Sequence, residues 1–532
     1  MSACGPIVYI ALDACDHEIA RGFATAGEMP VLRRLFERAT RCRVRNPFGL
    51  YVGALWMSFA TALRPDRHRF HCWDEIEVAT YERRLTVPPN GDMPVPFWRW
   101  LSDAGRRAAV IDLPHSAAKT PVNGLQIVEW GCHDRHFGLH SWPPGAAGEI
   151  ESAFGLHPVL GIDAHRVREF APDDYAHRDG PLRRLDEEVT LFQGLRRGVE
   201  LKRDLSLALL EQENWDLFLT VFGESHAIGH QQWHLHDETH PRFDAETVAA
   251  MGADPLRAVY GALDQALGEL LAHSPADATV MVHLSLGMGP HHDGTHLLEE
   301  VLSRIDCFDR EPPPMRSPMD KLKRASLALP PRLLRQATAF AVPALRRRAA
   351  ARHLPPAAEY ATAEARAGQR FFLEPNNYVH SGVRFNLIGR EPRGTVHPDE
   401  LDAIAARLTK DLMSLVNVAT GEPVVSSVTR AEAHYRRSPE DRMPDLFIDW
   451  VRRGPIETVW SPKTRLVHGP YLNWRSGDHR PDGLLLVHGP DTPTRRDMPP
   501  IELEDIAPSL ARRLGAPLPD IDGRPVAWLA GG

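Results

Sequence analysis

The chain has 532 residues, 43% hydrophobic and 25% charged, with a formal net charge of −8. This describes a globular protein long enough to bury a large core, and its acidic sum supplies no global field for nucleic acid. Six cysteines lie scattered without a C-x-x-C spacing, no run of about 18 apolar residues suits a membrane span, and no basic segment precedes the first apolar run, so a cytoplasmic chain with reduced thiols is expected.

Ile7 to Leu12 is a continuous apolar run ending on Asp13, the pattern of a central parallel strand that delivers a carboxylate at its carboxyl end. Asp16 is as natural a cap for the next helix. Pro30 opens a helix with Val31, Leu32, Leu35 and Phe36 on one stripe. The stretch 51–73 reads as a loop entering a buried helix that stops near Pro65. Strands are predicted at Ala108–Leu113 and Leu125–Trp130, a loop-rich insertion at 134–180, and a helix near Val199–Leu210.

Leu217 to Phe222 is a second strand buried on both faces, and the polar FGESHAIGHQQWHLHD follows it. Open parallel sheets place their chemistry at such strand ends. If the chain turns helical after Glu224, His226 and His230 stack four apart on one face, where two imidazoles suit one divalent cation, zinc first. In a chain with 27 histidines a single H-x-x-x-H also describes an ordinary surface pair; the preceding strand tips the reading toward a site. A long helix over 256–271 and a strand over Thr279–Leu286 continue the alternation of a doubly wound α/β fold.

The region 309–353 is proline-rich and then basic, with Arg332, Arg335, Arg346, Arg347, Arg348 and Arg352; a solvated helix face is the simplest account of it. Strands and helices mix over 371–450 (Val383–Ile388, Leu401–Leu415, Leu446–Trp450). Asn376, Asn377, Arg384, Asn386 and Arg390 cluster there as candidate substrate contacts, Arg gripping a phosphate bidentately, although turns and internal ion pairs use the same residues. Leu484–Val487 rejoins the sheet, and a closing helix on Ile506, Leu510 and Leu514 ends at Gly515.

ALDACD (11–16), GEMPVLRRL (27–35), ALWMSFATALRPDRH (54–68), FGESHAIGHQQW (222–233), LGMGP (286–290), SGDHRPDGLLLVHGP (476–490) and EDIAPSLARRLGAPLPDIDGRP (504–525) together resemble the alkaline phosphatase superfamily, in its type I phosphodiesterase/nucleotide pyrophosphatase branch. The resemblance implies an α/β/α sandwich with a mostly parallel central sheet, a core at 1–306 and 440–532, and a smaller inserted region at 307–439. It further implies two zinc ions at the strand ends, manganese being an alternative ion, and attack on a phosphorus or sulfur ester by Thr or Ser.

Carried over by position, one metal falls on His226, His230 and His479, histidine replacing an acid at 226. Three neutral nitrogens still form a ligand set that zinc accepts. For the second metal Asp13 survives, but the Asp-His pair falls on Ser285 and Leu286, and the nucleophile falls on Val52. Neither Val nor Leu has a reacting atom.

Three readings follow. One is a rebuilt phosphodiesterase-like hydrolase of a small anionic ester with a single zinc at His226, His230 and His479, Glu224 or Asp13 serving as base. In the second, Tyr51, Ser58, Thr61, His283, His292 or His296 restores the nucleophile or the second metal, although buried Ser and Thr commonly bond back to the i−4 carbonyl. The third is a catalytically silent relative that binds an anionic ligand or a protein. A sulfatase-like specificity is the remaining alternative to phosphorus chemistry.

Overall fold

The computed structural model describes residues 5–72, 74–77, 80–86, 94–132, 137–159, 184–312, 361–377, 379–438, 440–469, 475–494 and 496–531, with scattered positions between 321 and 346. The basic stretch 316–352 lies almost wholly outside them, as do residues 160–183. Two compact units are built, one from 1–70, 87–290 and 473–532, the other from 71–86 and 291–472. The expectation placed the borders near 306 and 440. The Thr295–Arg310 helix belongs with the second unit because Leu298, Val301, Leu302 and Ile305 fill its core beside Leu373, Val383 and Ile448.

In the first unit, nine strands among the described residues form one sheet. Their order is Asp497–Glu502, Thr40–Arg45, Asp482–His488, Thr279–Leu284, Ile7–Leu12, Leu217–Phe222, Ala108–Ile111, Gly124–Val128 and His140–Trp142. Ile7–Leu12 sits at the centre, parallel to both neighbours, with Leu12 level with Phe222 and Leu284. All three of these strands are buried throughout, as their unbroken apolar runs require. One set of helices (Pro30–Arg38, Leu185–Gln212, Glu224–His236, Pro255–His273) packs together, and a second set (Tyr51–Thr61, Phe97–Asp103, Ile506–Arg513) packs separately. This is the α/β/α sandwich with a mostly parallel sheet that was expected.

The sheet is mixed where the apolar pattern could not say so. Asp482–His488 runs antiparallel between Thr40–Arg45 and Thr279–Leu284. Asp497–Glu502 tolerates Pro499 and Pro500 because it is the outermost strand. The strands predicted to reach 113 and 130 stop at Ile111 and Val128, where Asp112 and Glu129 take positive φ of 55° and 61°. The Asp112 carboxylate holds that turn by accepting the Trp130 and Gly131 N–H groups, each at 2.8 Å, and by pairing with the fully buried Lys202. Within the region read as loop-rich, His140–Trp142 and Ala146–Phe154 are regular; the strand is too short for a period, and the helix buries only Ile150.

Helix starts follow local chemistry. Asp16 caps His17–Thr25, accepting the Glu18 and Ile19 N–H groups at 2.9 Å. Pro30–Arg38 has no cap of its own at Met29; Asp264 from the Pro255–His273 helix caps it instead, accepting from Val31 at 2.9 Å and Leu32 at 2.7 Å. No helix of the described residues is long and apolar enough to cross a membrane. The second unit carries an antiparallel sheet in the order Phe371–Glu374, His380–Phe385, Leu446–Trp450, Val425–Arg430, and the Leu401–Leu412 helix contributes Ile404, Leu408 and Leu412 to its core.

Two stability measurements test this account. Asp264→Ala leaves the Pro30–Arg38 helix uncapped and is expected to cost about 1–2 kcal/mol in urea unfolding. In the second unit, burial pushes the Glu374 carboxyl from its ordinary 4.5 up to about 8. The folded chain keeps this proton where the unfolded chain releases it, so stability falls as pH rises from about 4.5 to about 8, by at most about 1.4 kcal/mol per pH unit. Glu374→Gln is expected to flatten that part of the pH profile; an unchanged slope would remove Glu374 as its source.

Candidate metal centre

The chain turns helical immediately after the Leu217–Phe222 strand, with Gly223 leading into Glu224–His236. His226 and His230 therefore share a face, and His479 meets them from the Gly477–Arg480 strand. Their ring centroids are 4.5 Å (226–230), 4.9 Å (226–479) and 4.5 Å (230–479) apart, and one ligand nitrogen from each lies within 4.8 Å of the others. All three are buried, His479 to 1% exposure.

His479 reaches this position through an insertion into the helix. In an unbroken helix the His234 N–H would donate to the His230 carbonyl. Instead Ser476 N–H donates to that carbonyl at 2.8 Å, and His234 N–H turns to Ser476 Oγ at 3.2 Å. The helix kinks at Gln232 (φ −127°, ψ 20°), as expected where another segment enters the ladder. Gly477 makes the approach feasible, since a Cβ there would lie 2.2 Å from the Gly229 carbonyl oxygen and 2.8 Å from Trp233 Cβ. Gly229 in turn leaves room for Met288, whose strand Gly287–Pro290 pairs with Gly477–Arg480 so that Met288 lies opposite His479.

The same insertion fixes the His230 tautomer. His230 Nδ1 lies 2.7 Å from the Gly477 carbonyl and must donate to it, which leaves the Nε2 lone pair directed at His479 Nε2, 3.0 Å away. A tetrahedral zinc with bonds near 2.0–2.1 Å sets its nitrogens about 3.4 Å apart. The three buried imidazoles thus fit a zinc-type ion in donor type and spacing, with the His230 and His479 Nε2 atoms facing each other. Ser476 and Gly477 open the motif SGDHRPDGLLLVHGP, but the sequence assigns them no part in orienting the histidines.

Asp13 ends the central strand, 1% exposed, and its Oδ1 accepts the Ser285 hydroxyl at 2.9 Å. Ser285 Oγ also accepts the Ala14 N–H at 3.1 Å, and the Asp13 carbonyl accepts the Ser225 hydroxyl at 2.6 Å, joining the strand end to the first turn of the histidine helix. Glu224 faces elsewhere. With about 3.6 residues per turn it projects roughly opposite His226, and its fully buried carboxylate accepts from His157 Nε2 at 3.1 Å. His157 Nδ1 accepts the Val159 N–H, so the ring is a neutral donor to Glu224.

Tyr51 is the first residue of the Tyr51–Thr61 helix and is buried, with Val52 second and partly exposed. Ser58 lies 2.9 Å from His68 Nε2, but His68 Nδ1 accepts the Phe70 N–H at 3.1 Å. The His68 ring therefore donates to Ser58 and cannot deprotonate it. Thr61 bonds back to the Met57 carbonyl at 2.8 Å. His283 takes the Tyr9 hydroxyl at 2.8 Å, and burial lowers its pKa to about 3, keeping it neutral in the core.

In the second unit, Asn377 holds a positive φ of 50° and its Oδ1 accepts from Cys72 at 3.1 Å. Arg384 donates to Glu391 at 2.6 Å and to the Asp441 carbonyl at 3.0 Å. Arg390 grips Asp445 through two bonds of 2.8 and 2.7 Å. Both guanidiniums are engaged within their own unit.

The family described as type I phosphodiesterase / nucleotide pyrophosphatase matches residues 7–471, with His479 just beyond the matched range. No curated protein matches the chain. Among solved structures, phosphonoacetate hydrolase from Sinorhizobium meliloti 1021 in complex with phosphonoformate is similar at 15% identity, with 97% of this chain and 96% of that chain covered and a TM-score of 0.47. Murine ectonucleotide pyrophosphatase / phosphodiesterase 5 is similar at 10% identity, with 97% of each chain covered and a TM-score of 0.47. With the family match running over most of its length, the chain belongs to the type I phosphodiesterase / nucleotide pyrophosphatase family.

Proposed function

We propose that the chain hydrolyses a small anionic phosphoester with one zinc held by His226, His230 and His479. The observation that carries this reading is the convergence of three buried imidazoles, one with its tautomer set by a backbone carbonyl. When bound, zinc supplies Lewis acidity, drawing charge from a phosphoryl oxygen and making water easier to deprotonate. His230 keeps its lone pair directed inward because Gly477 holds its other nitrogen. Asp13 takes the base role in preference to Glu224, since Glu224 is committed to His157 on the far side of the helix. The five described cysteines are all free, which supports a reducing, cytoplasmic setting.

The Asp13–Ser285 contact supports the single-metal form. Two carboxylates at 13 and 285 would repel without a cation between them, whereas a hydroxyl at 285 donates to Asp13 and leaves one negative charge. Val52 removes the usual nucleophile, so attack falls to water. A second reading, a ligand-binding relative without turnover, is favoured by the same losses at 52, 285 and 286.

Assays with aryl phosphodiester, phosphomonoester and sulfate substrates plus zinc or manganese separate these readings. Zinc-dependent diester turnover that falls at least about 100-fold in His230→Ala is expected; tight metal binding with no turnover in any class would favour the binding protein. Elemental analysis is expected to give one zinc per chain. Two would overturn the single-metal form. Gly477→Ala, whose Cβ would fall 2.2 Å from the Gly229 carbonyl oxygen and force the His479 segment off the helix, should weaken zinc affinity about 10-fold or more. Val52→Thr alone should not yield a covalent phosphoenzyme, as judged by intact-mass measurement after substrate addition.

A further inference from the structure

A cleft of about 880 Å³ opens in the first unit between the His17–Thr25 helix and the sheet edge made by Thr40–Arg45, Asp482–His488 and Asp497–Glu502. That volume is in the range of small-molecule sites. Leu484 and Met498 give it an apolar floor, Arg21 enters from the helix and Arg43 from the strand.

The charges lining this cleft are unequally committed. Arg41 holds Asp497 at 2.7 Å and the Phe36 carbonyl at 3.2 Å, which occupies its fork. Arg21 lies 4.9 Å over the Phe36 ring and has no carboxylate partner among the described residues. Arg43 pairs with Asp482 at 3.3 Å, both side chains about half exposed, a pairing that costs little to exchange. His17 is 9% exposed, and its buried Nδ1 has no hydrogen-bond partner among the described residues.

Gly22 supplies an independent observation. A helix-interior glycine is less favourable than alanine, yet a Cβ at Gly22 would meet nothing within 4 Å. The backbone does not need glycine there, and the space a side chain would fill belongs to the cleft that Gly22 lines.

We propose that this cleft binds a small organic phosphate monoester, its head held by Arg21, Arg43 and His17 and its apolar body laid on Leu484 and Met498. Two guanidinium forks on opposite walls match a dianion, and a carboxylate would satisfy only one of them. Glu18, also at the rim, repels the anionic head only weakly, because it is exposed. The site stands apart from the zinc reading, since none of its residues is a candidate metal ligand.

Calorimetric titration of the full chain in a His230→Ala background separates binding here from binding at the histidine centre. Phenyl phosphate is expected to bind at one site per chain, at least tenfold tighter than inorganic phosphate or benzoate, and to shift the Met498 methyl resonance. Gly22→Leu, which fills the cleft with a good helix former, and Arg21→Lys, which keeps the charge but loses the fork, should each weaken binding at least tenfold. Arg45→Ala, on the same strand but outside the cleft, should leave it unchanged, and melting curves confirm that each variant is folded. Absence of binding at millimolar phenyl phosphate, undiminished binding by folded Gly22→Leu, or equal affinity for benzoate would overturn the assignment.

Discussion

The Ser476 backbone N–H on the His230 carbonyl is the bond on which the histidine centre rests. It diverts one rung of the helix ladder, opens the kink at Gln232 and brings Gly477 into contact with Gly229, where no side chain fits. The Gly477 carbonyl can then fix the His230 ring, and His479, two residues on, arrives with its Nε2 facing that of His230. Opening a helix bond in the interior is costly unless both freed groups find partners, and here both do: the carbonyl takes Ser476 N–H, and the His234 N–H takes Ser476 Oγ. The hydroxyl and the backbone of one serine thus replace the rung they displace.

The opposite side of the same helix is held by a different kind of interaction. Glu224 accepts from His157, and Gly198 leaves the room that His157 occupies, since a Cβ there would fall 2.1 Å from His157 Nε2. Beside them the buried Asp112–Lys202 pair ties the Leu185–Gln212 helix to the end of the Ala108–Ile111 strand, with Lys202 5.1 Å from the Trp130 ring centre. Such a pair contributes little net stability, but removing one partner would strand a charge in the core. The histidine helix is therefore held at its first turn by Glu224 and Ser225 and further along, from Gly229 to His234, by Ser476 and Gly477.

Charge at the central strand end follows a coherent pattern. Asp13 keeps its carboxylate, and the neighbouring position offers a hydroxyl in place of a second acid. The nearby buried histidine, His283, remains neutral against Tyr9.

Local periodicity made much of the fold legible. Ile7–Leu12 and Leu217–Phe222 have the limits that their apolar runs indicated, and the four-residue spacing of His226 and His230 became a shared face once the chain turned helical. Burial on both faces leaves a continuous apolar signature, and a helix converts spacing into direction. The Leu185–Gln212 helix was underestimated on its N-terminal side, and the Thr40–Arg45 strand, second from the sheet edge, was missed because Arg41, Arg43 and Arg45 interrupt its apolar residues. Partner choice was legible only in tertiary structure: His230 meets His479 across 249 positions, Ser285 turns to Asp13, Glu224 to His157, and Arg384 and Arg390 to Glu391 and Asp445. A polar side chain is satisfied by whichever complementary group the fold brings within about 3 Å. Residue spacing carries the direction in which such a group points, but the group it meets depends on how distant segments pack.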